Sequence, residues 1–112
     1  MSTPDDKVYL SHIRDAIETI NGYLRGATYE AFTQNKMMID AVVRELEIIG
    51  EAAGNLSHEF RRKYGHILWR QIKDMRNFLI HDYFGVNTKV VWDTCRQDLS
   101  QLKSLVDETL SK

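Results

Sequence analysis

Apolar residues recur every three or four positions along most of this chain. Leu10, Ile13, Ile17, Ile20 and Leu24 make the first such stripe, which predicts a helix from about Asp5 to Arg25. Thr3 or Asp5 can cap its start and Gly26 fits its end. Asn21-Gly22 interrupts the last part of the pattern. Thr28-Tyr29-Glu30-Ala31-Phe32 reads as a short helical turn whose Tyr and Phe plug into the core. Met38, Val42, Leu46, Ile49 and Ala53 then predict a second long helix, from about Asn35 to Asn55. Ile39, Val43 and Ala52 widen its stripe, which places this helix centrally, with contacts on two sides.

Ser57 can cap a short third helix that carries Arg61-Arg62-Lys63, the only run of three like charges. Gly65-His66 breaks it. A fourth helix is expected from Trp69 to about Asp82, with Trp69 as an anchor in the core or at an interface. Asn87 or Thr88 can cap a fifth, which runs nearly to Lys112 on the stripe Val91, Cys95, Leu99, Leu102, Val106 and Leu110, with Trp92 beside it. There is no internal repeat and no strand alternation. The expected architecture is all-α: a single domain over residues 1–112, built as an up-and-down bundle of four main helices with additional short helices.

Composition narrows this picture only slightly. The chain has 112 residues, 43% hydrophobic and 28% charged, which suits one globular domain that can bury part of its surface against a copy of itself. A net charge of −1 gives no global pull towards nucleic acid, so RNA binding would need a local basic patch. The lone Cys95 cannot form an internal disulfide, and on an apolar stripe it reads as an inert buried thiol. The N-terminus is polar, and no apolar run approaches the roughly 18 residues that span a bilayer. The expected location is the cytoplasm. His12, His58 and His66 make no metal-ligand spacing with one another or with Cys95, so neither a metal nor a cofactor is expected.

The candidate chemistry sits in Arg76-Asn77-Phe78-Leu79-Ile80-His81-Asp82-Tyr83. A fixed cation, a titratable imidazole and a phenol near a helix end suit work on phosphate. On a regular helix Ile72, Met75, Leu79 and Tyr83 share a face, and Arg76 projects about 40° from Ile72, within or beside that apolar arc. A guanidinium there needs an anion or water. Arg76 and His81 lie roughly 140° apart around the axis. They converge if the helix unwinds near His81, or if a second copy packs alongside so that one cleft holds two Arg and two His.

An Arg, a polar Asn, three residues and a His at the end of a helix in a small all-α domain resembles the signature of the HEPN superfamily. The continuation His81-Asp82-Tyr83 resembles the form found in HepT-like proteins, the toxin half of HepT/MntA-type (type VII) toxin–antitoxin pairs. The resemblance extends over nearly the whole chain. It includes Thr28-Tyr29-Glu30-Ala31-Phe32, Arg44 to Ala53, Met75 to Val86, Val91-Trp92 and the Asp98-Leu99 region, in the family's order. Members often carry a proline before the Trp, where this chain has Gly65-His66-Ile67-Leu68.

The resemblance implies a metal-independent endoribonuclease that works as a homodimer. RNA carries its own nucleophile, the 2′-hydroxyl, so the enzyme needs only to move protons and stabilise charge. His81 can serve as general base or acid near neutral pH. Arg76 can hold the phosphate oxygens, and Asn77 can orient either. Glu51 or Glu47 can support Arg76. Arg61, Arg62, Lys63 and Lys73 can contact RNA, although a solvated charged face also accounts for the first three. The resemblance further implies a nucleotidyltransferase antitoxin that adds AMP to Tyr83, placing bulk and negative charge beside the cleft; Tyr83 also fits a half-buried helix-end aromatic. The alternative is a non-catalytic helical dimer that binds and regulates a nucleotidyltransferase.

Overall fold

The structure, a computed structural model, describes residues 4–65, 67, 69, 72 and 88–111. These form α1 (Pro4–Leu24), α2 (Tyr29–Thr33), α3 (Lys36–Gly54) and α4 (His58–Lys63). A C-terminal rod follows, made of α5 (Thr88–Asp93), a π-helical turn (Thr94–Asp98) and α6 (Leu99–Leu110). The fold is all-α, and the described residues contain no strand. Of the expected fourth helix only Ile67, Trp69 and Ile72 are described nearby; the rest of 69–82 lies outside the described residues, as do Thr3 and Asn87, two of the expected caps.

Each stripe becomes a buried face. Leu10, Ile13, Ile17, Ile20 and Leu24 on α1 are at most 1% exposed, and they meet Val42, Val43, Leu46, Ile49 and Ala53 of α3 in one core. Ile39 packs at the edge and Ala52 is buried, as the widened stripe predicts. α1 reads through Asn21-Gly22 without a break and ends at Leu24. Gly26 follows with φ 74°, the left-handed conformation that ends a helix cheaply only at glycine. At α3 the Asn35 side chain accepts from the Met38 N–H, and the Asn55 N–H closes the last turn on Ala52 and Ala53 carbonyls.

Asp6, near the start of α1, bonds to Ser57, just beyond the end of α3, so the two helices run antiparallel. The C-terminal rod starts beside α2, where Trp92 meets Tyr29 and Phe32. Further on, Lys103 lies within the fields of Glu18 and Arg14. The rod therefore runs back along α1 towards its start. Among the described elements α1 lies between two long partners, while α3 packs on α1 and on α2.

The π-helical turn is not predicted by the stripe, although the stripe explains it. Val91, Cys95 and Leu99 are spaced by four twice, which would rotate an α-helical face by about 80°. A π turn holds more residues, and its Leu99 N–H reaches the Thr94 carbonyl. All three side chains stay buried as a result. Burial also pushes the Cys95 thiol up to about 12, against a small opposing pull from Arg96, so it stays a neutral, inert core group.

Candidate functional site

Arg76, Asn77, His81, Tyr83 and Lys73 lie outside the described residues. What the structure gives is the frame on either side of them. On the approach, the Phe60 ring meets Tyr64 at 4.8 Å and Trp69 at 6.0 Å. The Trp69 indole N–H donates to the Tyr64 carbonyl at 3.1 Å. Ile67 and Trp69 are buried and Ile72 packs against the same core, so three apolar anchors precede the motif within nine residues of sequence. On the far side Val91 is 1% exposed and Trp92 lies 5.3 Å from Phe32. The motif is thus bracketed by residues fixed at opposite ends of the α1–α3 pair.

The approach is tied down by a contact that no local pattern announces. Asp6 is 1% exposed, and its carboxylate accepts from the Ser57 N–H and from the Ser57 hydroxyl, both at 2.7 Å. Ser57 Oγ in turn accepts from the Phe60 N–H at 3.1 Å, which caps α4. The first turn of α1 therefore holds the first turn of α4. An acidic residue at the start of a helix ordinarily reads as a macrodipole partner, and nothing at Asp6 itself distinguishes a buried tether from that role.

The supporting and basic candidates are placed as follows. Glu47 and Glu51 stand one turn apart on α3. Glu47 is half-buried and paired with Arg44 at 3.5 Å, whereas Glu51 is exposed. Arg61, Arg62 and Lys63 do not make one patch, because successive helical residues point about 100° apart. Arg61 turns inward, half-buried, with Nε shielded from solvent and without a hydrogen-bond partner among the described residues. An anion would have to use its terminal nitrogens. Arg62 and Lys63 face solvent, and the Lys63 ammonium lies 5.3 Å from the Tyr64 ring. Among the described residues no three His, Cys, Asp or Glu side chains gather as a metal cage. No described helix is long and apolar enough to cross a membrane.

Comparison with known proteins identifies the family. The model described as "Ribonuclease HepT-like" matches residues 13–109, and the chain belongs to this HepT-like family of HEPN proteins. It is 41% identical over 112 residues to "Putative RNase TTE0752" of Caldanaerobacter subterraneus subsp. tengcongensis, covering all of this chain and 98% of that one. It is 44% identical over 97 residues to "Probable ribonuclease HepT" of Thermococcus cleftensis, covering 87% and 88%. It is also 46% identical over 99 residues to "Gamma-glutamylcyclotransferase and putative RNase MJ0434" of Methanocaldococcus jannaschii. That match covers 88% of this chain and spans only 45% of the relative. No solved structure matches the chain.

Proposed function

We propose that this chain is a metal-independent endoribonuclease, the toxin of a HepT/MntA-like pair. The observation that carries the reading is the family match over residues 13–109, which includes the complete Arg76, His81 and Tyr83 motif. In this reading two chains pair about a two-fold axis, so that Arg76 and His81 of both line one cleft. His81 takes the proton from the 2′-hydroxyl as that oxygen attacks the adjacent phosphorus. The departing 5′-oxygen takes a proton from solvent water or from the protonated imidazole of the second His81 in the cleft, and a 2′,3′-cyclic phosphate is left on the upstream fragment. Arg76 is too weak an acid to transfer a proton near neutral pH; its N–H groups hold the phosphate oxygens as their charge builds. Asn77 orients His81 or the phosphate. An antitoxin with nucleotidyltransferase activity silences the enzyme by adding AMP to Tyr83, which fills the cleft with a phosphate of its own.

The test is cleavage of RNA by purified chain whose intact mass carries no adduct. His81→Ala is expected to lower the rate by about a hundredfold or more while leaving the helical content unchanged. Activity is expected to survive EDTA, and phosphodiesters that lack a 2′-hydroxyl are expected to resist. Undiminished cleavage by the His81→Ala chain would remove His81 from the reaction. Loss in EDTA that magnesium restores would put a metal in it. An unmodified chain that cuts no RNA yet binds a nucleotidyltransferase would establish the non-catalytic dimer instead.

A further inference from the structure

We propose that Tyr29 and Trp92, flanked by Lys89 and Arg96, form a stacking platform for single-stranded RNA beside the cut site; the proposal rests on the ribonuclease reading and names where its substrate lies. Lys89, Trp92 and Arg96 are spaced by three and then four, which brings them to one face of the C-terminal rod. α2 supplies the other ring. Tyr29 meets Trp92 edge-on, at 5.8 Å between centroids and 60° between planes, and buried Phe32 packs against the indole at 5.3 Å with a 45° tilt. Both Tyr29 and Trp92 are half-buried, each with part of its ring open to solvent. Two exposed cations dress the rings: Lys89 Nζ lies 5.6 Å from the Tyr29 centroid, and the Arg96 guanidinium lies 4.8 Å from that of Trp92.

Aromatic packing alone explains why Phe32 and Trp92 lock α2 to the rod. It does not call for a cation on each outer ring. Half-buried aromatics set among cations are the elements with which proteins hold unpaired bases and their phosphates, largely without regard to sequence. The overall charge of −1 makes a local cluster necessary for RNA binding. The cluster is not uniformly positive. Asp93 accepts from Lys89 at 2.8 Å, a bond that raises the lysine pKa and keeps it charged, and exposed Glu30 follows Tyr29. Arg96 has no acidic partner among the described residues. Six peptide units separate Tyr83 from Lys89, so covalent geometry keeps their Cα atoms within about 20 Å. The platform is therefore close enough to the motif to hold nucleotides flanking the scissile bond.

The experiment measures binding of a 2′-O-methyl oligonucleotide, which lacks the internal nucleophile, across a salt series. Both Lys89 and Arg96 are exposed, so the Lys89→Ala/Arg96→Ala chain is expected to fold normally. It is expected to bind about tenfold more weakly, with a salt slope reduced by about 0.7 for each lost phosphate contact. Indole fluorescence is expected to change on binding in the wild-type chain and not in Trp92→Phe. Lys103→Ala, which removes a similar Lys–Asp pair elsewhere on the rod, is expected to change nothing. Equal affinity and equal salt slope for the double variant and the wild type would overturn the platform. So would a double variant that changes the mass of the assembly while leaving RNA affinity intact, because the face would then join two copies. If the wild-type chain cleaves RNA and only the variants' expected losses fail to appear, the platform falls alone. If it neither binds nor cleaves, the ribonuclease reading falls with it.

Discussion

Asn35 accepts from the Met38 N–H at 3.0 Å to start α3, and Ser57 accepts from the Phe60 N–H at 3.1 Å to start α4. The two capping hydrogen bonds are nearly the same length, yet the helices behind them differ. α3 has 19 residues and buries seven of them, so packing along its length holds it whether or not the first turn is capped. α4 has six residues and one buried side chain, Phe60. Helices that short are marginal in water without outside support. The support for α4 comes from Asp6, 51 residues earlier in the chain, which bonds both the backbone and the side chain of its cap. A cap is thus a refinement on a long helix and a structural joint on a short one. This joint bears on the proposed site because α4 leads in sequence to Ile67, Trp69 and the motif beyond.

The largest effect is expected where the joint is cut. Asp6→Ala strands the Ser57 N–H and hydroxyl in a part-buried place. Hydrogen bonds to a charged acceptor are worth about 1.5–3 kcal/mol each, and a loss of about 3 kcal/mol is expected on chemical denaturation. Ser57→Thr keeps a hydroxyl and is expected to recover most of what Ser57→Ala loses. If Asp6→Ala unfolds at the wild-type denaturant midpoint, α4 is held by Phe60 alone and the contrast between the two caps disappears. Asn35→Ala is the matched control on the long helix. It is expected to cost about 1 kcal/mol, the ordinary value of an N-cap. A cost equal to that of Asp6→Ala would show that α3 also depends on its first turn.

The two caps also differ in how far sequence reading reached them. Ser57 was legible as a cap and Asn35 only as the approximate start of its helix, because each lies within four residues of the first apolar position that follows. Asp6 was not, since its partner is set by the way α1 folds back on α3. The same limit appears elsewhere. The stripes of α1 and α3 gave the core residue by residue, because helical periodicity is local. The π-helical turn at Thr94–Asp98 was missed, although the doubled spacing of four at Val91, Cys95 and Leu99 carried its signal. Phe32 went to the core as expected, whereas Tyr29 stayed only half-buried against Trp92, a contact between segments about sixty residues apart. The motif itself was legible by its spelling, and it lies within the residues that the family match covers. The arrangement of Arg76 and His81 was not, because on a regular helix residues five apart would stand roughly 140° apart, and both lie outside the described residues.

The smallest effect is the one that tests whether an apparent flaw in the frame is a flaw. Asn21-Gly22 looked like a weak point in α1, yet the helix passes through it to Leu24. A Cβ built at Gly22 would meet nothing within 4 Å, and the backbone there is not left-handed. Alanine therefore fits without strain and restricts the unfolded chain more than glycine does. Gly22→Ala is expected to stabilise the protein by about 0.5–1 kcal/mol. Gly26, four residues on, has equally open space but a φ of 74°, so the same substitution there is expected to destabilise. The two glycines differ only in backbone conformation, and opposite signs in paired thermal melts would show that it, rather than space, decides the cost. Loss of stability at Gly22 as well would mean that the end of α1 needs flexibility at that point, and the long helices could no longer be treated as a rigid frame on which α4 is hung.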